Sequence, residues 1–165
     1  MALEPAITDI AQLKDRPEVA ALLAWNAGAV ESAKLDRGQL IVWLHRTTLR
    51  DACQLLKDDA ALQYNALADL TCVDWHPREP RFEVVYQLFS TSTKKYLRLK
   101  VRLQGEDPNL DSLTPMWPGA NFFEREVFDL FGVRFDEHPN LTRIMMPDNW
   151  EGHPLRKDYP VEGYR

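Results

Sequence analysis

The sequence predicts a two-layer α+β domain with a mixed or antiparallel sheet, followed by a proline-rich extended tail that contains one helix. Two helical and five strand-like segments come first, in the order helix, two strands, helix, three strands. This order is typical of helices packed on one sheet. Seven of the eleven prolines fall between Pro108 and Pro160. We therefore expect an α+β core over residues 1–104 and a partner-binding C-terminal part over residues 105–165.

The first helix and the hairpin after it have clear local signals. Pro17 suits the first position of a helix, and apolar residues follow it at helical spacing. Gly28 is expected to end this helix. Two segments rich in β-formers, 30–35 and 39–45, are separated by a short turn. Gly38 in that turn predicts a hairpin with a left-handed glycine.

The second helix is expected to begin at Thr47 or Thr48. With Thr48 as its N-cap, Asp51 falls at the third helical position, near the positive end of the helix dipole. The cluster Lys57-Asp58-Asp59 should end it. Its apolar face is predicted from helical spacing to comprise Leu49, Ala52, Cys53 and Leu56. The next strands are predicted at about 66–75, 82–89 and 95–103. The last of them alternates apolar and polar residues, so one face should be buried and the other wet or partner-facing.

A third helix is predicted in the motif NFFEREVFDLFG. Asn121 is a plausible N-cap, and Glu124 three residues later would complete a capping box. Gly132 suits the left-handed position that ends a helix, and Arg125 and Asp129 have the i,i+4 spacing of an ion pair. Glu124 and Glu126 lie only two residues apart on this helix. They therefore project in different directions and do not form an acid–base pair.

The segment after Gly132 lacks periodicity but is rich in large apolar residues, which need burial on this domain or on another chain. These residues are Phe135, Leu141, Ile144, Met145, Met146, Trp150, Leu155 and Tyr159. Within it, GHPLRKDYP (152–160) combines rings, basic donors and prolines that keep the backbone extended. Aromatic, arginine and methionine side chains are typical interface anchors. The pattern favours a strap that binds a partner over a catalytic loop.

Composition excludes several classes of function. The net charge of −5 at pH 7 argues against nucleic-acid binding, which depends on neutralising phosphates. The longest apolar runs, such as 20–25, are far shorter than the roughly 20 residues of a membrane span. The N-terminus has no basic region followed by an apolar stretch, so no signal peptide is expected. A cytosolic-side protein follows, held at any membrane by a partner.

Motifs for cofactor chemistry are missing from the sequence. It contains no glycine-rich phosphate loop, HExxH or CxxC motif. Cys53 and Cys72 are expected to be reduced and buried, and two cysteines are too few for an iron–sulfur cluster, which usually takes four thiolates. One alternative stays open, a metal site or a small independent hydrolase. It would use His138 and His153 with the nearby acids Asp136, Glu137 and Asp158.

Two stretches carry a family resemblance. WPGANFFEREVFDLFGVRFDEHPNLTRIMMPDNWEGHPLRKDYP (117–160) resembles the signature region of the C subunit of respiratory complex I, the proton-pumping NADH–quinone oxidoreductase. LTCVDWHPREPRFEVVYQLFS (70–90) resembles the preceding part of that family, and together the similarity covers about residues 66–165. The end of the sequence at Arg165 resembles the stand-alone bacterial form rather than a fusion to the D subunit, the large chain related to the hydrogenase catalytic subunit.

The resemblance implies a two-layer α+β subunit whose C-terminal extension wraps the D subunit, near the iron–sulfur subunits. It implies a peripheral position on the cytoplasmic side of the bacterial inner membrane. This chain would bind no cofactor, whereas the holoenzyme uses FMN, iron–sulfur clusters, NADH and quinone. A related complex with another electron donor, ferredoxin-dependent or a membrane-bound hydrogenase, is the alternative.

The resemblance also implies a set of structural and partner-interface residues, none of them catalytic. They are Glu124, Arg125, Glu126, Asp129, Gly132, His138, Pro139, Arg143, Pro147, Trp150, Gly152, His153, Pro154, Leu155, Arg156, Lys157, Asp158, Tyr159 and Pro160.

Overall fold

The computed structural model describes residues 5–163. Its helices are α1 (Pro17–Trp25), α2 (Leu49–Asp58) and α3 (Ala120–Phe131), with 3₁₀ turns at Ile10–Leu13 and Arg46–Thr48. Its strands are β1 (Val30–Asp36), β2 (Gln39–Leu44), β3 (Ala66–Asp74), β4 (Phe82–Phe89), β5 (Tyr96–Leu103), β6 (Asn109–Asp111) and β7 (Arg134–Asp136). None of the helices in this range is long and apolar enough to cross a membrane.

Five strands form one sheet in the order β1-β2-β5-β4-β3. β1 pairs antiparallel with β2, and β2 pairs parallel with β5, so the sheet is mixed. The predicted α+β class and mixed sheet are confirmed. β6 and β7 form a separate parallel pair that the sequence did not predict, because three residues are too few to show a period-two pattern.

The chain divides into two compact units. The first comprises residues up to 68 together with 86–101, and the second comprises 69–85 together with 102 onward. The division at residue 104 drawn from the sequence stays a prediction, because a compact unit need not be the part of the chain that folds alone.

The core of the first unit is apolar and follows the predicted faces. On α2, the four residues of the predicted face are all buried. On β5, the alternation places leucine and valine on the buried side, as a period of two requires. Removing this apolar surface from water is the main force that stabilises the unit. Side chains with no exposed surface here include Val19, Leu22, Val42, Leu44, Leu49, Leu56, Leu97 and Leu99.

One predicted helix boundary was wrong. α1 ends at Trp25 rather than at Gly28, because Asn26 already has extended backbone angles (φ −154°, ψ 104°). The Asn26 side chain instead accepts a hydrogen bond from the backbone N–H of Gly28 at 2.9 Å. Thr48 does lie at the N-cap position of α2, as predicted, but its side chain makes no capping hydrogen bond, since a 3₁₀ turn leads directly into that helix. Its hydroxyl donates to the carbonyl of His45 at 2.9 Å.

The hairpin between β1 and β2 confirms the predicted left-handed glycine. Gly38 has φ +79° and Arg37 has φ +52°, and Asp36 pairs with Gln39 across the turn. Two positive φ values in a two-residue loop are typical of a type I′ turn, whose twist matches that of the strands.

Replacing Gly38 with alanine should lower the free energy of unfolding by about 1–2 kcal/mol, because a left-handed L-residue costs roughly that much. An added Cβ meets nothing within 4 Å, so no clash contributes. Urea unfolding followed by circular dichroism measures the change. Gly119→Ala is the control. It has equal space but φ −62°, and should change stability by less than about 0.5 kcal/mol. Equal losses in both variants would contradict the role of the left-handed backbone.

Candidate functional site

The C-terminal end of α3 is the centre of the second unit. The last turn of a helix leaves four carbonyls without intrahelical partners, and here the C-terminal segment supplies three of the missing donors. The hydrogen bonds run from Gly132 N to Phe128 O (2.9 Å), His153 Nδ1 to Asp129 O (2.9 Å), Leu155 N to Leu130 O (3.0 Å) and Arg156 Nε to Phe131 O (2.6 Å). The segment 153–156 therefore caps α3.

Gly132 is confirmed as the left-handed residue that ends α3, with φ +74°. A Cβ at this position would lie 2.5 Å from Arg156 Nη2 and 2.6 Å from the His153 ring. Both the backbone angle and the close approach of the C-terminal segment therefore require glycine here.

Asp129 holds the bend at 144–146 against α3. Its side chain is fully buried and accepts a charged hydrogen bond from Arg143. It also accepts hydrogen bonds from the backbone N–H groups of Ile144, Met145 and Met146 at 3.0, 2.8 and 2.8 Å. Burial raises the pKa of this carboxyl group, but these hydrogen bonds outweigh burial and hold the pKa below its ordinary value.

Two arginines bind backbone carbonyls of the irregular segment after α3. Arg143 also donates to the carbonyls of Trp150 and Gly152, both at 3.0 Å. The predicted ion pair between Arg125 and Asp129 was wrong. Arg125 instead donates to the carbonyls of Thr142 and Arg143 at 3.1 and 3.0 Å, because Arg143 already occupies the Asp129 carboxylate.

A second buried carboxylate, Asp74 at the end of β3, holds the last part of the segment. Arg81 Nε and Nη2 donate to its two oxygens at 2.9 and 2.8 Å, and the backbone N–H groups of Lys157 and His76 donate at 2.9 Å each. Arg81 also binds both oxygens of Asp158 at 2.9 and 2.6 Å. The sequence analysis did not single out Asp74 or Arg81.

The charges of this cluster set its pKa values. Burial raises the pKa of Asp74, but the hydrogen bonds from Arg81, Lys157 and His76 dominate and lower it to about 2. Hydrogen bonds to Asp74 and Asp158 raise the pKa of Arg81, so this guanidinium stays charged. The guanidinium carbons of Arg81 and Arg156 lie 4.9 and 5.2 Å from the centroid of the Phe82 ring, within cation–π range.

Glu124 forms a third buried site, and its predicted capping role was wrong. α3 begins at Ala120 with no side-chain cap. Glu124 is instead fully buried and accepts from Ser112 Oγ and from the backbone N–H of Leu113, both at 2.7 Å. Burial raises its pKa to about 7, although these two hydrogen bonds oppose the shift. Two neutral donors do not compensate for burial of the charge.

His138 lies beside Glu124 without a close ion pair. The distance between its Nε2 and Glu124 Oε2 is 3.8 Å, while Nε2 lies 3.3 Å from the carbonyl of Asn121. Its Nδ1 accepts from the backbone N–H of Asn140 at 3.0 Å. Burial lowers the pKa of His138, so the neutral imidazole with a proton on Nε2 fits these contacts.

The remaining predicted site residues lie at or near the surface. Tyr159 is half-buried and donates to the carbonyl of Glu151 at 3.2 Å. Pro154 is also half-buried, whereas Glu126, Pro139, Pro147, Lys157 and Pro160 are exposed. The segment 148–160 consists of turns and bends, not the extended strap that its prolines suggested. Among residues 5–163, no three His, Cys, Asp or Glu side chains come close enough to hold a metal ion.

The large apolar residues of the segment divide into two groups. Phe135 is buried, whereas Met145 is 61%, Leu155 51% and Trp150 38% exposed. Many polar groups of this segment therefore bind its own chain, while several of its largest apolar side chains are exposed.

Comparison with known proteins supports the resemblance. The family model described as "Respiratory-chain NADH dehydrogenase, 30 Kd subunit" matches residues 42–165. The chain belongs to this family. It is 47% identical over 148 residues to the NADH-quinone oxidoreductase C subunit of Roseiflexus castenholzii, covering 89% of this chain and 85% of that protein. It is 46% identical over 138 residues to the protein of the same name from Geobacter sulfurreducens, covering 83% and 84%.

Two solved structures share the fold of this family member. A trypsin-resistant fragment of Nqo5 (residues 1–134) matches with a TM-score of 0.65 and 33% identity, covering 75% of this chain and 99% of the fragment. A chain of the membrane-bound sulfane sulfur reductase, an archaeal respiratory membrane complex, matches with a TM-score of 0.72 and 25% identity, covering 87% and 85%.

Replacing Asp74 with asparagine should reduce the free energy of unfolding by about 2 kcal/mol at pH 7. The folded-state pKa lies below the ordinary value of 3.8. The contribution of the carboxylate is therefore complete above about pH 4 and is lost as the pH falls towards 2. Urea unfolding at pH 2–7 should show wild type and variant converging at low pH. Asp107→Asn, which removes an exposed partner of Arg134, should change little throughout. A constant gap for Asp74→Asn would contradict the assignment.

Replacing Glu124 with glutamine should have the opposite pH dependence. Between the ordinary value of 4.5 and about 7, the folded protein binds more protons than the unfolded chain, so this carboxyl group destabilises the fold as the pH rises. Glutamine does not titrate, and its amide can donate to Ser112 Oγ. The variant should match wild type at about pH 4 and exceed it by about 3 kcal/mol at pH 8. Exposed Glu126→Gln is the control, and parallel urea-unfolding profiles for wild type and Glu124→Gln would overturn the assignment.

Proposed function

We propose that this chain is a non-redox subunit in the peripheral arm of an NADH–quinone oxidoreductase (complex I), on the cytoplasmic side of the bacterial inner membrane. It assembles and braces the arm by docking its C-terminal segment on the D subunit, next to the iron–sulfur subunits. The observation that carries this proposal is the family match over residues 42–165. That range includes the whole of α3 and the C-terminal segment.

The site residues divide by role under this proposal. Residues whose polar groups are satisfied within the chain shape the segment, and they are Glu124, Arg125, Asp129, Gly132, His138, Arg143, His153, Arg156 and Asp158. Residues that are exposed or half-exposed would contact the partner, and they are Glu126, Pro139, Trp150, Pro154, Leu155, Lys157, Tyr159 and Pro160. Exposed aromatic and aliphatic side chains on a fixed backbone suit the desolvated centre of an interface.

The proposed lack of a redox centre in this chain is supported by the chemistry of its cysteines. Cys53 and Cys72 are both buried, and burial raises the pKa of both thiols. Metal ligation needs thiolates, and clusters usually take four of them. FMN and the iron–sulfur clusters would therefore belong to other subunits of the holoenzyme, which transfers electrons from NADH to quinone with proton translocation.

A second candidate differs in the electron donor. The structural match to a chain of a sulfane sulfur reductase favours an equivalent role in a related respiratory complex that does not use NADH. The role of this chain as a brace would be the same.

Purification of the complex through a tag on this chain tests both candidates. After mild detergent extraction, mass spectrometry should identify flavin and iron–sulfur subunits with it, and the sample should oxidise NADH with quinone as acceptor. Co-purified iron–sulfur subunits without NADH oxidation would support the related complex. A single colourless chain would contradict both and would direct attention to His138 and His153 as catalysts.

Exposed apolar residues of the segment should be required for assembly. The double variant Met145→Asp/Leu155→Asp should fold normally, because both side chains are more than half exposed, yet lose about tenfold or more of the co-purified subunits. Ala20→Asp/Ala27→Asp adds the same charge at exposed positions of the other unit and should assemble as wild type. Unimpaired assembly of the first variant would count against the docking surface.

Point substitutions are preferable to truncation for this test. Deleting residues from Asp148 onward would also remove the donors of His153, Leu155 and Arg156 that cap α3. A truncated chain that failed to assemble could then simply have lost the end of that helix.

A further inference from the structure

A concave site with a strong positive charge lies in the first unit, at residues that the proposed assembly role does not use. Its volume is about 390 Å³, within the range of small-ligand sites. The turn between β1 and β2, the start of α1 and the turn between β4 and β5 surround it. Its lining includes Arg16, Glu18, Arg37, Lys94 and Lys95.

The charge of this lining opposes that of the whole chain. Four cations, Arg16, Arg37, Lys94 and Lys95, face one carboxylate, Glu18, which leaves three net positive charges on a protein of net charge −5. Glu18 is buried and accepts a hydrogen bond from the hydroxyl of Tyr64 at 2.8 Å. Because that donor is a neutral hydroxyl, Glu18 keeps its charge and offsets one of the four cations, so the excess of three remains.

The cations themselves have few acidic neighbours. Arg37 lies 3.8 Å from Asp36, which is the long end of ion-pair range, and Asp36 is also held by Lys34 at 2.7 Å. Within residues 5–163, Arg16, Lys94 and Lys95 have no carboxylate within 4.0 Å. Like charges gathered in one concavity repel each other unless an anion joins them.

The backbone gives independent support. Arg37 has φ +52° and Lys94 has φ +57°. Two different turns therefore each contain a basic residue whose backbone is in the left-handed region. Glycine, asparagine or aspartate is favoured at such positions. A basic residue at such a position lowers the folding stability in two ways. Its backbone is strained, and its charge is repelled by the other cations.

We propose that this concavity, defined by Arg16, Arg37, Lys94 and Lys95, binds a small multiply charged oxyanion of the phosphate class. Each phosphate group carries between one and two negative charges at neutral pH and offers three strong acceptor oxygens. One such compact group can accept from several of the exposed cations around this concavity, whereas a carboxylate carries a single charge. Arginine provides the planar fork that binds phosphate oxygens in pairs, and lysine adds point charges.

Titration calorimetry of the full chain with inorganic pyrophosphate, at constant ionic strength and pH 7.5, tests this site. Wild type should bind one pyrophosphate per chain. Arg16→Gln/Lys95→Gln should weaken binding at least about tenfold, because two charge-assisted contacts are lost. Arg46→Gln/Arg78→Gln removes the same charge at exposed positions outside the cavity and should change affinity less than about twofold.

Lys94→Asn separates binding from folding. Asparagine tolerates the left-handed backbone better than lysine does, so this variant should unfold at the same temperature or higher while it binds pyrophosphate more weakly. No saturable binding by wild type, or equal weakening by the inside and outside pairs, would overturn the site. Tighter binding of a hexaglutamate peptide than of pyrophosphate would overturn the phosphate class. None of these results depends on assembly, so the docking role stands or falls separately.

Discussion

The second unit depends on one constraint, which is that the polar groups at the end of α3 need hydrogen-bond donors. The last carbonyls of this helix and the buried Asp129 carboxylate need donors, since a buried polar group without a partner costs about 1–3 kcal/mol. No element next to them in sequence supplies enough donors. The C-terminal segment supplies them. Three consecutive N–H groups of this segment donate to Asp129, and His153 and Arg156 donate to carbonyls at the end of α3. Gly132 lies where these paths meet, which leaves no room for a side chain.

This arrangement explains how a segment without regular secondary structure can present a fixed surface. Its polar groups are bound within the chain, so its backbone is held by hydrogen bonds rather than by a helix or a sheet. Prolines reduce the conformational entropy of the unfolded segment. Large apolar side chains such as Met145 and Leu155 are left outside, where a partner can cover them. An interface prepared in this way loses less entropy on binding than a flexible tail would.

The parts of the fold that sequence predicted are those set by local pattern. β4 was predicted at its observed bounds and β5 within one residue, because alternation and β-branched composition are visible in a short window. Gly132 was predicted correctly because a glycine after the last residue of a helical pattern is also a local signal. Asp129, Arg143 and Asp158 were named from the sequence, but their pairings were not, because Arg143 lies 14 residues from Asp129 and Asp158 lies 77 from Arg81. From local spacing, Glu124 was predicted to cap α3 and Asp129 to pair with Arg125. In the structure both carboxylates bind groups that lie further away in the sequence.

Three of the buried carboxylates, Asp74, Asp129 and Glu124, show what such local rules leave out. Burial alone raises the pKa of each, yet Asp74 and Asp129 stay ionised while Glu124 shifts to about 7. The difference lies in the donors. Each aspartate has an arginine and at least two backbone N–H groups, whereas Glu124 has one hydroxyl and one N–H, and His138 stays 3.8 Å away. Whether a buried carboxyl group is charged or nearly neutral in this fold thus depends on partners that lie far away in the sequence.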